Sequence, residues 1–169
     1  MVVNEFGSLG QRRKYSGTPY ENHLLEVANL VQTHGGDPGQ IAAAWLHDVV
    51  EDTPVTINEI EPAFGSDVAS LVLELTDVFT KAAFPELNRA ARKQLEAERL
   101  WKISDRAQTI KFADFVSNGV DIVELAPEFG ALYVEEVRNA LSGMHLGDSR
   151  LRALVERIVD PQRQKGVTA

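Results

Sequence analysis

The stretch AAAWLHDVVEDTP, residues 42–54, starts as an apolar helix and ends in a run of polar side chains. Because its first half is apolar on nearly every side, it predicts a helix buried at the centre of the fold. Asp37 and Pro38 are the residue types preferred at the N-cap and the first position of a helix, and Pro54 disfavours helix in the residue before it. We therefore expect a central helix over about residues 38–51.

Four side chains that can bind protons or metal ions lie in the last turns of this helix: His47, Asp48, Glu51 and Asp52. The second pair follows the first by four residues, a spacing that places them on one helical face. Imidazole and carboxylate groups together bind divalent cations, with carboxylates favouring manganese or magnesium and imidazole admitting iron or zinc. The alternative is a hydrogen-bonded core histidine beside solvated acids, and an HD pair alone favours that alternative. A bound cation would, however, compensate carboxylates that the dipole of a helix C-terminus disfavours.

The rest of the chain shows helical patterns and almost no strand pattern. Capping residues mark several helix starts: Thr56 with Glu59, Ser66, Ser104 and Asp148. Besides the central helix and the two helices after positions 56 and 66, we expect helices near residues 21–32, 86–102, 104–120, 130–144 and 149–159. The chain is thus predicted to be an all-α, single-domain helical bundle over residues 11–160, with a short N-terminal segment, 1–10, and a flexible C-terminal tail, 161–169.

The composition limits the function classes that the chain can serve. Its 169 residues suit one domain, and the absence of cysteine excludes disulfide and thiolate chemistry. The net charge of −8 argues against a nucleic-acid partner, because an acidic surface repels phosphate backbones, but a small phosphorylated ligand needs only a local basic patch or a metal. The longest apolar run, residues 41–46, is too short to cross a membrane, and no signal sequence is visible. We therefore expect a cytoplasmic protein with no membrane partner.

Two more polar side chains fall within apolar helical segments. His23 begins the first of these segments, and Asp114 lies inside an apolar run with Asn118 one turn further along the same face. An unpaired buried carboxylate is costly, so Asp114 needs a cationic partner. That partner is either a metal ion or a basic side chain nearby in sequence, Arg106 or Lys111.

Four segments within residues 11–120 together resemble a known family: QRRKYSGTPYENH, IAAAWLHDVVEDTPVT, FGSDVASLVLELTD and TIKFADFVSN. They are similar to the HD-domain metal-dependent phosphohydrolases, and most similar to the hydrolase domain of the RelA/SpoT alarmone enzymes and their single-domain relatives. An HD pair alone is unspecific, but HDVVEDT with an upstream SGTPYxxH and a downstream KxADxxxN is specific. The resemblance implies a helical bundle of the HD-domain type.

The resemblance also implies a division of roles within the site. One divalent metal, usually manganese in this family, would be bound by four side chains: His23, His47, Asp48 and Asp114. Glu51 and Asp52 correspond to the family's catalytic pair, which positions and deprotonates the attacking water. Repulsion between these two carboxylates should raise the pKa of one of them, which suits it to proton transfer.

Three further residues correspond to nucleotide contacts in the family. Asn118 matches an asparagine that touches the nucleotide, and Arg13 with Lys14 matches a basic pair that holds the base and the sugar-phosphate side. A solvated basic turn is the alternative for this pair. The segment before it, residues 1–10, is shorter than the family's first helix and contains two glycines, and the segment 77–93 resembles the family only loosely.

The implied function is hydrolysis of guanosine 3′,5′-bis(diphosphate) at the 3′ position with release of pyrophosphate. Removal of a 2′- or 3′-phosphate from another nucleotide, such as NADPH, is an alternative within the same chemistry. A catalytically weak nucleotide-binding regulatory module is an alternative from a different class. The presence of both Glu51 and Asp52 argues against such a module, since binding alone does not need the pair.

Overall fold

Helices supply nearly all the regular structure of residues 10–160, which are the residues that the computed structural model describes. Over that range there is no strand, only an isolated backbone bridge between Arg12 and Pro19. The expected all-α bundle is confirmed. The predicted tail, 161–169, and nearly all of the predicted N-terminal segment, 1–10, lie outside the described residues. The nine helices of the described range are α1 (Tyr20–Thr33), α2 (Pro38–Leu46), α3 (Val49–Asp52), α4 (Ile57–Phe64), α5 (Ser66–Leu75), α6 (Arg89–Leu100), α7 (Asp105–Leu125), α8 (Pro127–Leu141) and α9 (Ser149–Val159).

The long helix α7 is the centre of the bundle. It packs against α1, α2, α5, α8 and α9, so most of its circumference is covered. Ile110, Phe112 and Ala113 of α7 have no exposed surface, and they join a core that includes Leu24 of α1 and Ala44 of α2. Polar residues on this part of α7 are therefore held inside the protein, where α1 and α2 meet it. Although α7 has 21 residues, neither it nor any other helix of the described range is long and apolar enough to span a membrane.

The central helix is interrupted at its polar end. α2 is largely buried, as expected, but it ends at Leu46, and His47 with Asp48 forms a turn before the short helix α3. The Nδ1 atom of His47 donates to the carbonyl oxygen of Ala44 at 2.7 Å. In a continuous helix that carbonyl would accept from the main-chain N–H of Asp48, so the imidazole competes with helix propagation. The prediction of one helix over residues 38–51 is therefore wrong at His47 and Asp48, where the helix is interrupted.

The helix starts follow the capping signals in the sequence. The Asp37 side chain accepts from the main-chain N–H of Gln40 at 2.9 Å, and the Gln40 side chain accepts from that of Asp37 in return. Ser66 differs from the expectation, because it is the first residue of α5 and the residue before it, Gly65, has a positive φ of 88° and no side chain to cap with. The other predicted caps are present: Thr56, Ser104 and Asp148.

We expect the substitution Asp37→Ala to lower the free energy of unfolding by about 1 kcal/mol at neutral pH, because it removes an N-cap. Asp37 also accepts a hydrogen bond from Arg106 at 2.8 Å. Burial alone would raise the pKa of Asp37. The hydrogen bonds from Gln40 and Arg106 outweigh burial and hold that pKa below its usual value. The ionic part of the stabilisation is therefore complete above a pH of about 4 and is lost as the pH falls through the lowered pKa.

Urea denaturation at neutral pH and at about pH 2 would measure this difference. The deficit of Asp37→Ala should be smaller at the lower pH. Asp67→Ala is the matched control, because Asp67 also binds Arg106, at 2.6 Å, but caps no helix. At neutral pH, Asp67→Ala should lower the free energy of unfolding less than Asp37→Ala does, since exposed ion pairs contribute little to stability. An equal deficit for Asp37→Ala at both pH values would contradict the role assigned to its charge.

Candidate active site

Four predicted site residues bring their donor atoms together between α1, α7 and the turn after α2. The Nε2 atoms of His23 and His47 are 3.2 Å apart. The Oδ2 atom of Asp48 lies 3.1 Å from the Nε2 atom of His47 and 3.6 Å from that of His23. The Oδ1 atom of Asp114 lies 3.3 Å from the Nε2 atom of His23 and 3.7 Å from that of His47. We call these four residues the donor cluster.

The separations within the donor cluster suit one divalent cation. Nitrogen and oxygen ligands lie about 2.0–2.3 Å from such an ion, so ligands at right angles to each other are roughly 3 Å apart. Ligand atoms of His23, His47 and Asp114 all lie within 4.8 Å of one another, and all three residues are buried. Two imidazoles and two carboxylates are a donor set for manganese, iron or zinc. The residues present therefore fit a bound metal ion.

The Nδ1 atom of each histidine in the donor cluster is held by a second contact, which directs its Nε2 atom at the other donors. His47 donates from Nδ1 to the carbonyl oxygen of Ala44 at 2.7 Å. The Nδ1 atom of His23 lies 2.9 Å from the hydroxyl of Ser117, and that hydroxyl donates to the carboxylate of Glu26 at 2.6 Å. Because the single hydroxyl proton goes to Glu26, the hydroxyl accepts from His23. Both imidazoles can thus present an Nε2 lone pair to a cation.

The pKa shifts in the donor cluster show how strongly it attracts positive charge. Burial opposes the charged form of both histidines, but the carboxylates of Asp48 and Asp114 outweigh it and raise the pKa of each imidazole. Burial also opposes the charged carboxylates, yet the pKa of Asp48 is lowered by His47 and that of Asp114 chiefly by Lys111. Protons on the histidines therefore balance the carboxylates, and a bound metal ion would displace those protons.

Asp114 divides its two oxygens between the donor cluster and a salt bridge. Oδ1 faces the two imidazoles and also accepts from the amide of Asn118 at 2.6 Å. Oδ2 lies 2.8 Å from the Nζ atom of Lys111. A metal ion and a basic side chain, which the sequence left as alternatives, can therefore both contact this carboxylate. The other candidate partner, Arg106, instead binds two aspartates near the starts of α2 and α5.

Glu51 and Asp52 lie on α3 and remain accessible to solvent, although protein fills much of the space around them. The Oε1 atom of Glu51 accepts from the main-chain N–H of Asp77 at 2.8 Å, which ties α3 to the segment after α5. Loss of surrounding water and the charge of Asp77 raise the pKa of Glu51 to about 7. Loss of water and the charge of Asp48 also raise the pKa of Asp52. These causes differ from the mutual repulsion of the pair that the sequence suggested.

The three predicted nucleotide contacts have different surroundings. Asn118 lines a cavity beside the donor cluster. Lys14 is exposed, and its Nζ atom lies 5.2 Å from the ring centre of Tyr15 and 5.8 Å from that of Phe129. Arg13 is only 8% exposed, because acidic side chains and a main-chain carbonyl bind its guanidinium inside the protein. The structure thus brings Asn118 to the donor cluster, leaves Lys14 at the surface and turns the guanidinium of Arg13 inward.

The cavity beside the donor cluster has a volume of about 230 Å³. Asp114 lines it, so the cavity adjoins the donor cluster. Among its other lining residues are aromatic and basic side chains: Phe115, Phe129, Tyr133, Arg89, Lys93 and Lys111. Arg89 is bound by both carboxylate oxygens of Glu136 at 2.8 Å. Lys93 lies 3.1 Å from the carboxylate of Asp77. The cavity is therefore lined by aromatic side chains together with cations that are held by acidic partners.

Two residues that support the donor cluster were not predicted from the sequence. The hydroxyl of Tyr20 donates to the carboxylate of Asp48, and Ser117 accepts from His23. Tyr20 lies three residues before His23 on α1, and Ser117 lies three residues after Asp114 on α7. Because residues three apart share a helix face, each lies beside a donor residue of its own helix, but its contact crosses to another segment and leaves no local signal in the sequence.

Comparison with known proteins gives the family. Residues 3–141 match the family described as HD domain. This chain belongs to the HD-domain family. The HD domain is 42% identical over 121 residues to the Xenopus tropicalis protein named guanosine-3′,5′-bis(diphosphate) 3′-pyrophosphohydrolase MESH1, and 40% identical over 121 residues to the human protein of that name. Both alignments cover 70% of this chain and 64% of the relative, so the chain spans less than two thirds of the length of these relatives.

A solved structure shows the same relationship. The HD domain superimposes with a TM-score of 0.79 on a metazoan ortholog of SpoT that hydrolyzes ppGpp and plays a role in starvation responses. The two are 31% identical, and the comparison covers 98% of this chain and 94% of the other. HD hydrolases use a divalent metal, and the buried His23, His47 and Asp114 are where this HD domain can bind one.

We expect a divalent cation to stabilise this HD domain through the donor cluster. Manganese at about a hundred times its dissociation constant should add about 2.7 kcal/mol to the free energy of unfolding. His47→Ala should abolish this gain, because it removes a donor atom from the cluster. Thermal denaturation of chelator-treated protein, with and without added manganese, would measure the effect.

His34→Ala is the matched control for this experiment. The Nδ1 atom of His34 also bonds a main-chain carbonyl, that of Leu30 at 2.7 Å, but His34 lies at the opposite end of α1 from His23. The control should keep the full stabilisation by manganese. If His47→Ala were stabilised as much as the wild type, the cation would bind elsewhere.

Proposed function

We propose that this HD domain is a manganese-dependent phosphohydrolase that hydrolyses guanosine 3′,5′-bis(diphosphate) and releases pyrophosphate from the 3′ position. The observation that carries the proposal is the position of Asp114, which contributes an oxygen to the donor cluster and also lines the adjoining cavity. A phosphorylated ligand in that cavity would lie beside the cation. The names of the relatives, which are 3′-pyrophosphohydrolases of this nucleotide, support the choice of substrate.

In this proposal the metal is bound by the donor cluster: His23, His47, Asp48 and Asp114. A cation there would polarise a phosphoryl oxygen and lower the pKa of a water molecule. Each donor is oriented by a neighbouring group. Tyr20 and Lys111 contact the two carboxylates, while the hydroxyl of Ser117 and the carbonyl oxygen of Ala44 contact the two imidazoles. These contacts pre-form the site and so lower the reorganisation that binding requires.

Glu51 is the proposed proton acceptor. With a pKa of about 7 it can take a proton near neutral pH, and the N–H of Asp77 fixes the orientation of its carboxylate. Water adds to the phosphorus that carries the ribose 3′ oxygen, and the bond between that phosphorus and the ribose oxygen breaks. One water proton passes to Glu51, the ribose oxygen gains a proton, and pyrophosphate leaves. Asp52, the next residue on α3, would orient the water.

The walls of the cavity suggest how a nucleotide would be held. Phe129 and Tyr133 line the cavity and would contact a purine base, and Asn118 would contact the nucleotide next to the donor cluster. Lys14 lies near the ring of Phe129, so its positive charge is close to the cavity. These residues are the proposed nucleotide contacts. Acidic side chains bind the guanidinium of Arg13 inside the protein. Its contact with the base therefore stays a prediction.

The substitutions Glu51→Gln and Asp52→Asn should separate binding from chemistry. Each keeps the shape of the side chain but removes its ability to accept a proton, so we expect turnover to fall about a hundredfold or more. Manganese binding and nucleotide binding should be retained, as measured by calorimetry. Glu61→Gln, on the exposed face of α4, is the control and should leave turnover unchanged. Near-normal turnover in both site variants would favour the regulatory module or a different base.

The substrate is tested by incubating the manganese-loaded protein with guanosine 3′,5′-bis(diphosphate), NADPH and GTP in parallel. We expect pyrophosphate from the first and no release of phosphate from the other two. Phosphate from NADPH alone would show the alternative phosphatase, and binding without any release would show a regulatory module. Repeating the assay with magnesium and with zinc tests the metal, and the proposal requires the highest rate with manganese.

A further inference from the structure

His23 is the one histidine of the donor cluster whose second contact is a side chain. The Nδ1 atom of His47 donates to a main-chain carbonyl, which the fold itself holds in place. The Nδ1 atom of His23 donates instead to the hydroxyl of Ser117 at 2.9 Å, and that hydroxyl donates to Glu26 at 2.6 Å. His23 and Ser117 are both buried, at 1% and 5% exposure. The orientation of His23 therefore depends on side chains outside the donor cluster.

Arg13 holds this chain of hydrogen bonds together. Its Nη1 atom lies 3.1 Å from the carboxylate of Glu26 and 3.3 Å from the hydroxyl of Ser117. Its Nη2 atom donates to the main-chain carbonyl of Ser117 at 2.9 Å, and its Nε atom lies 2.9 Å from the carboxylate of Asp121. All three guanidinium nitrogens thus contact acceptors on α1 or α7. One buried arginine joins the segment before α1 to the two helices that carry His23 and Asp114.

We propose that Arg13, Glu26 and Ser117 form a positioning network that keeps the Nε2 atom of His23 available to the cation. In this network Arg13 is a positioning residue, and its part in metal binding is separate from any contact with a nucleotide. The inference rests on the cation binding of the proposed function but not on the proposed substrate.

The chemistry of the hydroxyl explains why the network sets the state of His23. A serine hydroxyl has one proton to donate, and here the carboxylate of Glu26 accepts it. The hydroxyl can then only accept from the imidazole, so Nδ1 carries a proton and Nε2 is the nitrogen whose lone pair a cation can use. Arg13 holds the carboxylate in place, since a planar guanidinium can bind several acceptors at fixed angles. Contacts of this kind behind a metal-binding histidine typically contribute about 10- to 100-fold to metal affinity.

The first test measures manganese affinity without any nucleotide, from the electron paramagnetic resonance signal of free Mn²⁺. Ser117→Ala should raise the dissociation constant for Mn²⁺ about 10- to 100-fold. Thr109→Val is the matched control, because Thr109 also carries a buried hydroxyl on α7, but that hydroxyl is hydrogen-bonded to the main chain of Asp105 and Asp148 and not to the donor cluster. The control should bind Mn²⁺ as the wild type does, even if it is less stable.

The second test uses variants that distinguish positioning from a nucleotide contact. Arg13→Gln should also weaken Mn²⁺ binding about tenfold or more, because it releases both Glu26 and Ser117. Glu26→Gln should have a smaller effect in the same direction, since an amide oxygen still accepts from Ser117 but attracts Arg13 less. The side chain of Glu26 is 55% exposed, so this variant should fold even where Arg13→Gln does not.

The outcomes separate this inference from the proposed function. Weaker Mn²⁺ binding in Ser117→Ala and Glu26→Gln, with the Thr109→Val control unchanged, supports the network even if the protein hydrolyses none of the nucleotides. Wild-type Mn²⁺ affinity in Ser117→Ala and Arg13→Gln overturns it, even if hydrolysis is observed. An increase in the KM for the nucleotide in Arg13→Gln with unchanged Mn²⁺ affinity also overturns it, because Arg13 would then be a nucleotide contact alone.

Discussion

The buried carboxylate of Asp114 is the constraint on which the rest of the site depends. Only 5% of this residue is exposed, so its charge must be balanced inside the protein. Lys111 balances one oxygen, and the imidazoles of His23 and His47 face the other. Removing one partner of a buried ion pair costs about 3–5 kcal/mol in proteins. The same carboxylate therefore contacts α1 and the turn after α2 and also supplies an oxygen for a cation.

The turn at His47 and Asp48 determines what holds the acidic pair in place. The imidazole of His47 bonds the carbonyl of Ala44, and the helix that follows this turn, α3, has only four residues. A helix this short has little stability of its own, so outside contacts must hold its side chains. The N–H of Asp77 supplies one such contact to Glu51. The next two N–H groups of that segment, residues 78 and 79, donate to a buried carboxylate on α6 at 3.1 and 3.2 Å. The segment after α5, rather than the central helix, thus positions the proposed base.

The features predictable from the sequence are those that depend on neighbouring residues or on a motif. The helix capped by Asp148 has the predicted bounds, whereas α7 continues to Leu125, because no local signal marks its end near position 120. The grouping of the four donor residues follows from the resemblance to HD domains. Contacts between distant segments leave no such signal: Ser117 is 94 residues from His23. The pKa of Glu51 rises for the same kind of reason, since its causes come from how α3 lies against the segment after α5.

The basic side chains of the cavity are already neutralised within the protein. Arg89 is bound by Glu136 through two hydrogen bonds of 2.8 Å, and Lys93 lies 3.1 Å from Asp77. A phosphate group that binds these cations would compete with Glu136 and Asp77 for them. Such competition would favour a ligand that concentrates negative charge on several adjacent oxygens. If the proposed function holds, this competition would make the cavity selective by charge density, so that a chain of net charge −8 could bind a polyphosphate with cations that are already paired.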